Sequence, residues 1–108
     1  MAMGNNYAYA SQKLTAAMSA LATAPGRIRE RLGFAAQQLC TLEMELFPES
    51  VRGTFRIVYE TCTKPKSGET TPAVYKKGKI AAACDELTDD EASHMATLIF
   101  RMYDEVAG

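Results

Sequence analysis

Six apolar residues between Gly26 and Phe47 recur in steps of four and three: Ile28, Leu32, Ala35, Leu39, Leu42 and Leu46. An α-helix turns once every 3.6 residues, so this spacing lays all six on one stripe, and no alternation of period two competes with it. The spacing predicts one helix through this stretch, limited by Pro48. A stripe that long has to be covered, and the other segments read as the pieces that cover it.

Tyr7, Ala10, Leu14, Ala17 and Leu21 form a second stripe, with Asn5 or Asn6 placed to cap its start. Pro25-Gly26 ends it, because the residue before proline avoids helical angles and glycine supplies the turn. A connection this short makes the two helices antiparallel neighbours.

The segment Val51 to Cys62 fits two patterns. Val51, Phe55, Val58 and Cys62 suit a helix, whereas Val51, Gly53, Phe55, Ile57 and Tyr59 alternate as a strand would. Helix is favoured, because Pro48 suits a first turn and Glu49 complements the positive end of the dipole. The alternative is a hairpin of 54–62 with 72–83. Residues 63–79 are rich in turn formers and lysine and read as one long exposed loop, anchored by Val74 and Tyr75. Ile80 to Cys84 is expected to make a short helical turn. Thr88-Asp89-Asp90-Glu91 is a capping box. Behind it Ala92, Met95, Ile99, Met102 and Val106 take helical steps. The expected fold is therefore a single all-α domain, residues 1–108, built as a bundle of about four helices.

Composition limits the function classes. The chain has 108 residues, 47% apolar and 23% charged, with a net charge of −1. These are values of a globular domain without a global field toward nucleic acid or acidic membranes. The charge is unevenly spread. Residues 1–32 and 63–80 are basic, and 84–108 carry seven acids against Arg101 alone. Three cysteines, Cys40, Cys62 and Cys84, include no close pair, which argues against a disulfide framework and for a reducing, cytoplasmic setting. No apolar run approaches the roughly 20 residues that cross a bilayer. Ala22-Thr23-Ala24 imitates a signal cleavage site, but the basic residue lies deep in the chain and Pro25 follows directly, so mature helix is favoured.

Catalytic constellations are hard to assemble here. There is one histidine, His94, so a di-metal bundle site built on two Glu-x-x-His motifs has only Glu91 and His94 to offer. No nucleophile elbow surrounds a serine, and the glycines are too scattered for a phosphate loop. The expectation is a non-enzyme without cofactor or metal.

One electrostatic feature stands out. Arg27, Arg29 and Arg31 fall in the first turns of the predicted 26–47 helix and Glu43 and Glu45 in its last, all opposing the dipole. Either they pair inside the fold, with Asp104 and Glu105 or with Asp89 to Glu91 opposite the arginines, or they form a docking surface for an acidic protein or a phosphate. Lys64, Lys66, Tyr75, Lys76, Lys77 and Lys79 make a second candidate surface in the loop. The leading expectation is a small cytoplasmic protein-interaction module: a regulator, adaptor or inhibitor that docks through these two surfaces or self-associates. The alternative is a nucleic-acid-binding accessory factor using the lysine-rich loop 63–79.

Overall fold

In the computed structural model, residues 7–108 are described. They form six α-helices: α1 (Ala8–Thr23), α2 (Ile28–Leu39), α3 (Glu49–Thr63), α4 (Pro72–Lys77), α5 (Lys79–Asp85) and α6 (Asp89–Val106), with a 3-10 turn at Met44–Leu46. Among the described residues there is no strand, so the hairpin alternative does not form. None of the helices is long and apolar enough to cross a membrane. The Asn5 or Asn6 cap lies outside the described residues; Tyr7 stands at the N-cap of α1 without a side-chain hydrogen bond.

The apolar stripes meet in one buried cluster. Leu14 and Ala17 of α1, Leu32 and Leu39 of α2, Val58 of α3 and Ile99 of α6 are sealed from solvent. α2 lies against α1, α3, α5 and α6, so the segment with the longest stripe does occupy the middle of the packing.

That stripe is not one helix, however. α2 ends at Leu39, Cys40 and Thr41 turn the chain, and Glu43 is extended before the 3-10 turn. Leu42 still reaches the core at 6% exposure, by a route other than the helical one. Arg52 fixes the reversal from α3: its Nε donates to the Phe47 carbonyl at 2.9 Å and its Nη2 to that of Glu45 at 3.5 Å. Glu43 and Glu45 therefore lie outside α2 and oppose no dipole. That half of the electrostatic oddity belonged to a helix end that does not exist.

The expected long loop is also corrected. Only the stretch 64–71 runs without helix, because Thr71 caps α4 by accepting from the Val74 N–H and Pro72 occupies a position that needs no donor. Gly78, at φ +89°, turns the chain directly into α5. These two short helices raise the expected four to six.

Gly26 turns α1 into α2 at φ +100°. A Cβ there would lie 2.6 Å from Glu30 Oε1, the atom that accepts the Arg27 N–H at 2.9 Å and closes the start of α2. Gly26→Ala is expected to cost about 1–3 kcal/mol, from the left-handed backbone and the displaced cap together. Urea unfolding measures it, and an unchanged midpoint would refute the account of this turn.

The Thr88 capping box forms as the sequence predicts. The Glu91 N–H donates to Thr88 Oγ1 at 3.0 Å, and the Thr88 N–H to Glu91 Oε1 at 2.8 Å. The Thr88 backbone bond, aided by Lys66 3.5 Å away, holds the Glu91 carboxyl below the usual glutamate range. A lowered folded pKa gives stability that is present above the unfolded glutamate value, about 4.3, and is lost as pH falls through the lower folded value. Unfolding midpoints should therefore decline on acidification through that window, and less so in Glu91→Gln. Equal declines in both proteins would contradict this role.

Candidate functional site

The fold sorts the three arginines into different jobs. Arg31 is bound inside: its Nη1 donates to the Leu21 carbonyl at 2.7 Å and its Nε to the Gly26 carbonyl at 3.2 Å. It places a cation at the negative end of α1, so it satisfies one helix terminus while sitting near the wrong end of its own. Arg29 donates from Nη1 to the Asp85 carbonyl at 3.0 Å, and its Nε lies 3.4 Å from Asp89 Oδ1. The intramolecular alternative thus holds for Arg29, with Asp89 as the acid rather than Asp104 or Glu105. The Nε is closed to solvent without a well-formed hydrogen bond, so that contact is a charge pairing alone. Arg27, at the N-cap of α2, is exposed, and its guanidinium makes no ion pair among the described residues.

Arg27 and Arg29 line a groove of about 560 Å³ with Glu30, Phe34 and Gln37 of α2, and Lys77, Ala81 and Asp85 from α4 and α5. The groove joins the two basic segments that lie far apart in sequence. Lys77 pairs with Asp85 across its wall. Arg27, Glu30, Phe34 and Gln37 follow one another by three, four and three residues and form the exposed face of α2. Phe34 is 49% exposed there. Sequence reasoning weighed the charges of this face and passed over Phe34, although its seven-residue spacing from Arg27 was visible.

The other lysines go elsewhere. Lys64 and Lys66 line a second groove of about 630 Å³ between α3 and the start of α6, with Glu60, Asp90, Glu91 and His94. Lys66 there pairs with Glu91. Glu86 gathers the loop from below: hydrogen bonds from the Ser67 side chain and the Ser67 and Lys66 backbone N–H groups lower its pKa. Tyr75 is 84% exposed on α4, with Lys76 and Lys79 exposed beside it in the chain. Apart from Arg31, the candidate residues therefore divide among three places instead of two.

Cys40, Cys62 and Cys84 are unbridged and buried. Burial, with Cys84 nearby, pushes the Cys40 thiol up to about 12. Cys62 is raised chiefly by a hydrogen bond with the Cys84 thiol, then by burial. A nucleophilic cysteine needs a lowered pKa and access, and Cys40 and Cys62 have neither. Among the described residues no group of three or more His, Cys, Asp or Glu side chains is arranged to hold a metal ion.

The first groove offers the Arg27 guanidinium, unpaired among the described residues, a half-exposed aromatic ring and the start of a twelve-residue helix. No family model matches the chain, and no curated protein or solved structure is detectably similar to it.

Proposed function

We propose that this protein is a small non-catalytic docking module that receives an acidic protein segment in the α2–α5 groove and acts in the cytoplasm as a regulator, adaptor or inhibitor. The observation that carries the proposal is Arg27. It is an exposed cation at the positive end of a helix, where its own dipole disfavours it. Arg29 and Arg31 break the same local rule but are compensated inside the fold; Arg27 has no such partner among the described residues. A partner carboxylate supplies the missing contact, and Phe34 supplies apolar area beside it. The three unbridged thiols support a reducing compartment.

The test is affinity capture from source-cell lysate, with and without nuclease, using wild type and Arg27→Glu. A nuclease-resistant partner retained by wild type and lost by the variant is expected. Equal capture by both would overturn the proposal. A second proposal rests on Tyr75, whose exposed ring beside Lys76 and Lys79 suits base stacking and phosphate contact. It requires nuclease-sensitive capture, weakened steeply by salt and by Tyr75→Ala.

A further inference from the structure

The protein itself carries a segment with the chemistry that the groove asks for. On α6, Thr97, Phe100, Arg101 and Asp104 are exposed and share one side of the helix, and Phe100 is 49% exposed. Asp104 stands in the last turn of α6, which contains no basic residue of its own to complement the negative end of the dipole. Its carboxylate makes no ion pair or hydrogen bond among the described residues, whereas the neighbouring Glu105 accepts from the Ser50 hydroxyl. Asp104 is thus the counterpart of Arg27. Each is an exposed charge at the wrong end of its helix, and each is near a half-exposed phenylalanine.

The two faces also match in register. Laid antiparallel, Arg27 meets Asp104 and Glu30 meets Arg101, three residues apart on both helices. Phe34 and Phe100 then follow on the same side, offset by about 4–5 Å along the axis, within the separation that aromatic pairs use. Glu30 commits Oε1 to the Arg27 N–H and keeps its other oxygen for Arg101. An amphipathic helix seated in a groove is an established way for proteins to read one another.

The faces cannot satisfy each other within one chain. Arg29 holds the start of α6 at Asp89, and Asp104 comes fifteen residues later, about 22 Å along the helix.

We infer that a second copy of this chain occupies the groove: the α6 face Phe100–Asp104 of one copy docks antiparallel on the α2 face Arg27–Phe34 of the next. This rests on the docking function proposed above and names its partner. The two faces are different surfaces, so the contact either chains copies head to tail or, made twice, closes a two-fold dimer. One helix face on another buries less than the roughly 1,200 Å² of a standard interface, so association is weak and salt-sensitive.

Sedimentation equilibrium of the full chain tests this. The weight-average mass of wild type should rise with concentration and fall with added salt. Arg27→Asp and Asp104→Arg should each lower the association constant about tenfold or more, because each sets like charges opposite one another. Mixing the two variants should restore association, since each groove then finds a tail of opposite charge. Circular dichroism matching wild type establishes that the single variants remain folded. A wild type that stays monomeric up to about 1 mM overturns the inference, as do single variants that associate like wild type or a mixture that does not recover. If wild type is monomeric while Arg27→Glu still abolishes lysate capture, the docking function stands and the partner is another protein.

Discussion

Replacing Phe47 by alanine is expected to lower the stability of the fold by about 3–5 kcal/mol, the range for deleting a buried aromatic side chain. Among the described residues Phe47 is the largest fully buried side chain, and its ring lies 4.4 Å from that of Phe55 and is tilted by 30°. It sits where the chain comes out of the 3-10 turn and enters α3. The lost ring therefore loosens both the core and the reversal that Arg52 fixes from outside. Domains of this size hold about 5–15 kcal/mol in total, so the variant gives up a large share of the whole and its urea midpoint should fall accordingly. Phe47→Leu, which keeps much of the volume, should cost clearly less. Urea unfolding followed by circular dichroism gives both values. A loss under about 1 kcal/mol for alanine would mean that the core is organised around another residue.

The second large effect separates two arginines four residues apart. Arg31→Ala is expected to cost about 1.5–3 kcal/mol, because it removes charge-assisted bonds to the Leu21 and Gly26 carbonyls and takes the cation from the negative end of α1. Arg27→Ala should stay within about 0.5 kcal/mol, as expected of an exposed side chain without an ion pair among the described residues. In the docking assay the order should invert, with Arg27→Ala folded but impaired. If both variants lost equal stability, the division of the cluster into a structural and a recognition arginine would be wrong.

Much of this architecture was legible in the residue pattern, for identifiable reasons. The stripes of α1 and α6 persist over sixteen and eighteen residues, long enough for period 3.6 to separate from period two, whereas in α3 the two periods overlapped and Pro48 and Glu49 tipped the reading to helix. Thr88 and Glu91 carried the start of α6 in their side chains. The stripe of residues 26–47 misled because periodicity records which positions are buried, not which path buries them. Leu42 keeps the helical spacing and reaches the core although α2 has already ended. No glycine or proline stands at 40–43 to mark that end. α4 did carry a signal, threonine followed by proline, but a six-residue helix leaves almost no stripe to confirm it.

For the candidate site, sequence showed the charges and missed the sorting. Nothing local in Arg27, Arg29 and Arg31 tells which of them finds a carbonyl, a carboxylate or solvent. That depends on where α1 ends and where Asp85 and Asp89 arrive, a matter of long-range packing. The joining of Lys77 to the arginines has the same origin, since α5 packs on α2 and brings α4 with it.

A photocrosslinking amino acid placed at position 34, in source-cell lysate, addresses the groove itself. Positions 57 and 75 serve as controls, because Ile57 and Tyr75 are exposed apolar residues outside the groove. The groove as a docking site predicts a discrete protein adduct from position 34, whether with a second copy or another chain, that disappears when Arg27→Glu is added. No adduct at 34, or the same adducts from all three positions irrespective of Arg27, would contradict it.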